Sequence, residues 1–146
     1  MAVDVNTIQS INIFSDLDNA ELEAVSQITD PMKVSEGEIL ASRGRYANTF
    51  YVVLSGNFMI GFKSGKAVTV HQKGDIMGWS TVVTPFKYRG TVVALTDGEV
   101  LTISGDEFLR LLQSNSSLGD KLMEKIRPVA VERASLDDDH LEAGSF

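Results

Sequence analysis

The chain has 146 residues, enough for one domain with its own hydrophobic core. Hydrophobic residues make up 43% of it, too many for an intrinsically disordered chain. The formal net charge is −7, from 13 basic and 20 acidic residues, so we expect no direct nucleic-acid partner. The chain has no cysteine, which excludes disulfides and thiolate metal sites.

The sequence contains no sign of a membrane segment. No uninterrupted apolar run approaches the roughly 20 residues that a membrane-spanning helix needs. The first residues also lack the basic start and apolar block of a secretory signal. We therefore expect a cytoplasmic protein with no membrane partner.

The sequence pattern changes along the chain and predicts three structured regions and a tail. Residues 1–30 are predicted to form an N-terminal helical segment, residues 31–104 a run of short strands, and residues 105–136 the C-terminal helices. Residues 137–146 begin with three consecutive aspartates, which predicts a solvated, mobile acidic tail.

The N-terminal segment carries a helix start signal. Asp18 and Glu21 have the spacing of a capping box, in which each side chain accepts a hydrogen bond from the other residue's backbone N–H. Apolar residues then recur at helical spacing. Pro31 is expected to end this helix, since the residue before a proline is pushed toward extended geometry.

Between residues 31 and 104, short β-branched and aromatic segments alternate with glycine-containing turns. The predicted strands are 39–41, 50–54, 58–63, 67–71, 91–95 and 100–103. This pattern predicts a mainly-β fold, an antiparallel β-roll or jelly roll of the cupin-like double-stranded β-helix type, with helices at both ends. Along the strand 50–54, one of Phe50 and Tyr51 is expected to face inward and the other outward.

The C-terminal region repeats the helix signals. Ser104 and Glu107 have the spacing of a second capping box. Farther on, apolar residues recur every four positions, at Leu118, Leu122 and Ile126. This stripe has two interpretations, packing in the core or the seam of a homodimer. Pro128 is expected to end or kink the helix.

No catalytic motif is complete in the sequence. There is no P-loop and no Gly-x-Gly-x-x-Gly. Residues 78–80 begin like the nucleophile elbow Gly-x-Ser-x-Gly, but Val82 stands in place of the last glycine. The two histidines, His71 and His140, cannot form the multi-histidine metal cluster of cupin-like enzymes. We therefore predict no metal, no catalytic residue and no enzymatic activity.

Residues 73–94 carry the clearest binding signal. Gly78 precedes a short run that can form one helical turn, whose free amides would face an anion. Arg89 follows Trp79 by ten residues at the start of a strand, where its planar guanidinium would clamp the same anion. Together these residues predict a minimal phosphate site.

The same segment resembles the phosphate-binding cassette of cyclic-nucleotide-binding domains of the catabolite activator (Crp/Fnr-like) type. Residues 74–75 match the family's Gly-Asp. Met-Gly-Trp at 77–79 stands where the family has Phe-Gly-Glu, and Tyr-Arg-Gly-Thr at 88–91 stands where it has Pro-Arg-x-Ala. Two upstream segments resemble the family landmarks Gly-Glu-x-Ile and Tyr-x-Val-x-x-Gly, at residues 37–40 and 51–56. The resemblance covers about residues 13–126.

The resemblance implies a regulatory domain that binds a cyclic nucleotide or another phosphorylated small ligand and needs no other cofactor. It implies six ligand-binding residues, namely Gly78, Trp79, Ser80, Arg89, Gly90 and Thr91. Trp79 replaces the family's glutamate, which accepts a hydrogen bond from the ribose 2′-hydroxyl, whereas an indole only donates. Tyr88 also replaces the family's proline. The phosphate half of the site is thus expected to persist with altered specificity.

Each of these residues also has a simpler interpretation. Trp79 is either a plug or core residue, a stacking platform for a ligand, or an anchor for a partner. Arg89 either clamps phosphate or pairs with a carboxylate. Gly78 and Gly90 also suit positions of positive φ or close backbone approach. Ser80, with Thr81 beside it, caps the short helix or touches a ligand.

Two functions follow from this pattern. The first is a nucleotide-like ligand sensor without a DNA-binding domain, because only about 20 residues follow Ile126, too few for a helix-turn-helix. Such a domain is expected to act through a separate effector protein or through a homodimer of its C-terminal helix. The alternative is a ligand-free protein-interaction scaffold on the same fold.

Overall fold

The structure is a computed structural model that describes residues 3–81 and 86–137. The predicted acidic tail therefore lies almost wholly outside the described residues. Three short helices open the chain: α1 (Val5–Gln9), a 3₁₀ helix (Asn12–Phe14) and α2 (Asn19–Gln27). The predicted capping box is confirmed, because the Glu21 N–H donates to Asp18 Oδ1 at 2.8 Å and the Asp18 N–H donates to Glu21 Oε1 at 2.9 Å.

Eight strands follow in the described part of the chain. They are β1 (Thr29–Val34), β2 (Ile39–Ala41), β3 (Thr49–Ser55), β4 (Phe58–Phe62), β5 (Ala67–Val70), β6 (Ile76–Met77), β7 (Gly90–Ala94) and β8 (Gly98–Ser104). They form two four-stranded antiparallel sheets, ordered β1-β8-β3-β6 and β2-β7-β4-β5. The predicted antiparallel β-roll with helices at both ends is confirmed.

Pro31 does not end the first long helix, contrary to the sequence prediction. Helix α2 already ends at Gln27, and Pro31 lies inside β1, opposite Leu101 of β8. Strand β1 is at the edge of its sheet and pairs only with β8. An edge strand tolerates proline because a missing N–H on its outer side costs no ladder hydrogen bond.

The sheet β1-β8-β3-β6 separates two hydrophobic cores. The helical core lies between this sheet and the helices, and the rings of Phe50 and Phe108 contact there with their centroids 4.9 Å apart. Its buried residues are Ile8, Ile11, Ile13, Phe14, Leu17, Leu22, Val25, Phe50, Val52, Ile76, Leu101, Ile103, Phe108, Leu118, Leu122 and Ile126.

The roll core lies between the two sheets. Its buried residues are Val34, Ala41, Ala47, Tyr51, Val53, Phe58, Ile60, Phe62, Val70, Met77, Tyr88, Val92, Ala94 and Val100. The prediction of one outward residue in β3 is wrong: Phe50 is 0% exposed and Tyr51 is 7% exposed. Both are covered because Phe50 faces the helical core and Tyr51 faces the roll core.

Two helices close the described chain, α3 (Gly105–Ser114) and α4 (Ser116–Asp137). The Ser104 side chain accepts a hydrogen bond from the Glu107 N–H at 3.4 Å, as the capping signal predicts. The stripe of Leu118, Leu122 and Ile126 is fully buried in the helical core, which confirms the interpretation as core packing. The stripe is therefore not exposed as a dimer seam.

Helix α4 continues through Pro128, so the expectation that it ends there is wrong. Its first half is held by the buried stripe, and its second half is held by Arg133 and Leu136, which reach the roll core and its edge. These contacts offset the cost of an interior proline, about 3 kcal/mol. Among the described residues, no helix has the length and apolar character needed to span a membrane.

Candidate functional site

The segment between β6 and β7 crosses the chain of β3 at close range. Gly78 has a φ of +83°, and a Cβ at this position would lie 2.9 Å from the backbone oxygen of Thr49. The position therefore requires glycine on two independent grounds. A short 3₁₀ turn, Trp79–Thr81, follows, and its Thr81 N–H donates to the Gly78 carbonyl at 3.1 Å. Residues 82–85, which continue the predicted cassette, lie outside the described residues.

Tyr88 anchors the other end of this segment to β3. Its hydroxyl donates to the Thr49 carbonyl at 2.7 Å and accepts from the Thr49 N–H at 2.9 Å. The side chain is buried, and burial raises the pKa of Tyr88 to about 12, so the phenol is neutral. Cyclic-nucleotide-binding domains, which this segment resembles, have a proline at this position. Here the buried phenol of Tyr88 fixes the start of β7.

A small cavity of about 20 Å³ lies where the cassette meets β4 and β7, with room for about one water molecule. It is lined by Ile60, Phe62, Gly78, Trp79, Tyr88, Arg89, Gly90, Val92 and Arg133. We call it the cassette pocket. The fold thus brings together four predicted site residues from the two ends of the cassette, Gly78, Trp79, Arg89 and Gly90.

Two predicted site residues stand apart from that group. Thr91 is half-buried in β7, does not line the cassette pocket, and accepts a hydrogen bond from the Arg43 N–H at 3.1 Å. Ser80 lies in the 3₁₀ turn, but its side chain is outside the described part of the chain. Its neighbour Thr81 is buried, and the described residues offer its hydroxyl no hydrogen-bond partner. The roles predicted for Ser80 and Thr91 stay predictions.

Trp79 faces both the cassette pocket and the helical core. Its indole is half-buried and packs against the helical core, while it also lines the pocket. The packing agrees with the interpretation as a filling residue, because the space beside it holds only about 20 Å³. Gly90 is buried nearby, and a Cβ there would lie 2.6 Å from Ile60 Cγ2, so this position also needs its glycine.

Arg133 of α4 is a pocket residue that sequence reasoning missed. It is 6% exposed, and its guanidinium donates a hydrogen bond to the Ile76 carbonyl. Burial lowers the pKa of Arg133, against the opposing effect of the nearby Asp75 and Glu132 carboxylates. One signal was available: Arg133 follows Ile126 by seven residues, so it continues the face of the buried stripe.

No group of three or more His, Cys, Asp or Glu among residues 3–81 and 86–137 is placed to hold a metal ion. The Asp75 carboxylate accepts hydrogen bonds from the His71 N–H at 3.2 Å and the Gln72 N–H at 3.0 Å, so it holds the turn before β6. The expectation that the chain has neither metal nor catalytic residue stays a prediction.

Comparison with known proteins gives a consistent result. Residues 31–115 match the family model described as cyclic nucleotide-binding domain. A cAMP-dependent protein kinase regulatory subunit of Hypocrea atroviridis is 27% identical over 107 residues, which cover 73% of this chain and 23% of the relative. A cGMP-dependent 3′,5′-cGMP phosphodiesterase A of Dictyostelium discoideum is 27% identical over 79% of this chain and 13% of its own length. The chain thus spans less than a quarter of these relatives.

Solved structures show the same fold at low identity. A candidate cyclic nucleotide-binding protein from Geobacter metallireducens superposes with a TM-score of 0.82 at 20% identity, covering 90% of this chain and 98% of that one. The sensor domain of the transcriptional regulator DNR from Pseudomonas aeruginosa gives 0.71 at 22% identity, covering 86% and 91%. The regulatory subunit of a cAMP-independent protein kinase A from Trypanosoma brucei gives 0.73 at 18% identity, covering 86% and 44%.

Proposed function

The chain belongs to the cyclic nucleotide-binding domain family, and from this premise we propose that it senses a small phosphorylated or nucleotide-like ligand with altered specificity. The single observation that carries the proposal is the composition of the cassette pocket. Arg89 lines it together with Gly78 and Gly90, while an indole stands where the resembling family has its glutamate. On this proposal, Arg89 and the two glycines keep the phosphate-binding half of the site, and Trp79 replaces the residue that binds the sugar.

The altered specificity follows from the missing acceptor. No aspartate or glutamate is among the described residues that line the cassette pocket. A ribose 2′-hydroxyl buried there would lose a hydrogen bond, at a cost of about 1–3 kcal/mol, or roughly ten- to hundredfold in affinity. We therefore expect weak binding of cyclic AMP and cyclic GMP and tighter binding of a phosphorylated compound without a buried ribose hydroxyl.

Ligand binding on this site requires the pocket to widen. A cavity of about 20 Å³ holds about one water molecule and not a nucleotide. Two large lining side chains, Trp79 from the cassette and Arg133 from α4, come from outside the two sheets. A ligand that displaces either of them would change how α4 sits on the roll, which is the signal that a regulatory domain of this kind would pass on.

The proposal is tested by the thermal midpoint of unfolding in the presence of cyclic AMP, cyclic GMP, AMP and inorganic phosphate. A ligand at 100 times its dissociation constant adds about 2.7 kcal/mol of stability. Arg89→Ala should abolish any shift, while Arg43→Ala, an exposed arginine that does not line the pocket, should keep it. A shift that survives Arg89→Ala would refute this placement of the phosphate.

A gain-of-function variant tests the sugar half separately. Trp79→Glu supplies an acceptor where the resembling family has one, so cyclic AMP should bind more tightly than to the wild type. Trp79→Leu is the matched control, because it also removes the indole but adds no hydrogen-bond acceptor. Equal affinities of the two variants would show that the missing acceptor does not set the specificity.

The second candidate function is a ligand-free interaction scaffold, and the small size of the cassette pocket favours it. No thermal shift with any compound would support this candidate over the sensor. In either case we propose a separate effector protein as the partner. A homodimer through α4 would have to use its outer face, where Val131 is 65% exposed, because the stripe is buried. The cytoplasmic location and the absence of enzymatic activity stay predictions.

A further inference from the structure

Arg133 is a buried cation with few described contacts. Its side chain belongs to α4, yet it lies at the carbonyl of Ile76 in β6, to which its guanidinium donates. A guanidinium has five N–H donors. A charge that is 6% exposed is costly unless a counter-charge or further hydrogen bonds satisfy it.

The described carboxylates near Arg133 do not bind it. Asp75 and Glu132 are close enough to act on its charge, but no ion pair joins either of them to Arg133. The Asp75 carboxylate instead accepts hydrogen bonds from two backbone N–H groups. Both residues, together with Arg133 itself, line a second cavity between α4 and the β5–β6 segment. The cassette pocket itself has no acid among its described lining residues.

Two arginines from different parts of the fold therefore converge on the cassette pocket. Arg89 comes from the start of β7 in the roll, and Arg133 comes from α4. The other lining residues are neutral. Arg89 is exposed and Arg133 is buried, so the two positive side chains reach the pocket from its outer and inner sides. Two positive side chains lining one small space favour an anion, and guanidinium groups bind phosphate through paired N–H donors.

We propose that Arg133 is a second anion-binding arginine, so that the site holds one phosphate group between the roll and α4. This inference rests on the proposed function and adds the ligand class and the coupling element. The class is a compact phosphate, either free or as the phosphoryl group of a small molecule. Since Arg133 belongs to α4, the bound phosphate ties this helix to the roll.

A bound phosphate would affect only one half of α4. The end of α4 already contacts the roll through the Ser64 hydroxyl, which donates to the Leu136 carbonyl at 2.7 Å, and through Leu136, which packs on the roll core. The start of α4 is fixed in the helical core. A phosphate on Arg133 therefore acts on the half of α4 after Pro128 and leaves the first half in place.

The experiment measures binding of inorganic phosphate, AMP and cyclic AMP by calorimetry to the full chain and four variants. Arg133→Met keeps the length of the side chain without its charge, and Arg133→Lys keeps the charge without the planar fork. Arg89→Ala removes the other arginine. Arg127→Ala, an exposed arginine on the same helix, is the matched control. Inorganic phosphate distinguishes a site for free phosphate from one that requires the organic part of AMP or cyclic AMP.

We expect Arg133→Met to weaken binding of the preferred probe roughly ten- to hundredfold, as Arg89→Ala does, because a hydrogen-bonded charged contact is lost. Arg133→Lys should weaken it less, and Arg127→Ala should leave it unchanged. Hydrogen exchange supplies a second readout, since the probe should slow exchange of residues 129–137 in the wild type and not in Arg133→Met.

Two results would overturn the inference in different ways. Unchanged or tighter binding to Arg133→Met, with binding still lost in Arg89→Ala, would leave the sensor function standing and make Arg133 a filler of the pocket. Failure of all three probes to bind the wild type would refute the phosphate-sensing function and this inference with it.

Discussion

The helical core and the roll core share one sheet but differ in what they contain. The helical core is built of aliphatic and aromatic side chains from the helices and the sheet β1-β8-β3-β6. The roll core is bordered by the cassette pocket, where two arginines and a neutral phenol line its edge. The helical core and the proposed ligand site thus lie on opposite faces of the same sheet.

Helix α4 is the element that belongs to both regions. Its first half contributes Leu118, Leu122 and Ile126 to the helical core, and its second half sends Arg133 and Leu136 to the roll. Pro128 lies between the two halves. A change at the cassette pocket can therefore reach the second half of α4 without disturbing the packing of the first.

The largest expected effect is on the helical core. Phe50→Ala removes a fully buried ring in contact with Phe108 and should lower the free energy of unfolding by about 3–5 kcal/mol in urea denaturation. Ile39→Ala, at a residue that is 61% exposed, should change it by less than about 0.5 kcal/mol. A decrease in the free energy of unfolding of less than about 1 kcal/mol for Phe50→Ala would contradict the view that this core stabilises the fold.

At the border of the roll core, Gly78→Ala should cost about 2–4 kcal/mol. The variant combines a strained φ with a backbone contact of 2.9 Å at the Thr49 oxygen. Gly37→Ala is the matched control, because it has a similar φ of +88° with nothing within 4 Å of the added Cβ. Thermal unfolding of both variants separates strain from contact, and equal losses would show that the close approach to β3 is unimportant.

Tyr88→Phe tests the phenol that fixes the start of β7. Its removal leaves the Thr49 N–H and carbonyl without their partner, so the free energy of unfolding should fall by about 1–3 kcal/mol. Tyr46→Phe, whose exposed hydroxyl donates to Asp106, should cost less because water replaces that bond. Chemical denaturation of the pair checks this, and a larger effect at Tyr46 would contradict it.

The smallest expected effect concerns Glu21, which joins α2 to α4 through Lys121 at 2.7 Å. The hydrogen bond from Lys121, with that from the Asp18 N–H, holds the pKa of Glu21 below its ordinary value of 4.5. Its folded pKa is thus below its unfolded one, so its contribution is present above that ordinary value and is lost as the pH falls through the folded pKa.

Glu21→Gln should therefore cost about 1 kcal/mol near neutral pH, since Lys121 is partly exposed and the pair is screened. Denaturation at neutral pH and near pH 3 checks the sign: the gap between wild type and variant should narrow in acid. A gap that widens in acid would show that the Glu21 charge does not stabilise the fold.

The sequence predicted the parts of the fold that depend on local pattern. The capping residues Asp18 and Ser104 were identified because a cap needs only a polar side chain and a free N–H three residues on. The predicted strands were found by their β-branched and aromatic residues. Strand β1 was missed because it contains Pro31, and β6 because its two residues form no periodic pattern.

The remaining features depend on contacts between distant residues. Nothing in the order of residues shows that β3 is covered on both faces, so the burial of both Phe50 and Tyr51 was missed. The cassette arginine and glycines were identified by a known pattern. The spacing of Arg133 from Ile126 predicts only a buried helix position, and the contact of Arg133 with β6 depends on the tertiary fold. The family resemblance thus identified four of the nine residues that line the cassette pocket. The other lining residues are brought there by tertiary packing.

The most direct measurement uses the single tryptophan of the chain, Trp79, which lines the cassette pocket. The indole N–H resonance of isotope-labelled protein is followed during titration with the phosphate compound that shifts the thermal midpoint most. We expect a saturable shift of this resonance in the wild type and none in Arg89→Ala. An indole resonance that stays fixed while the compound binds, or one that moves equally in Arg89→Ala, would contradict this expectation.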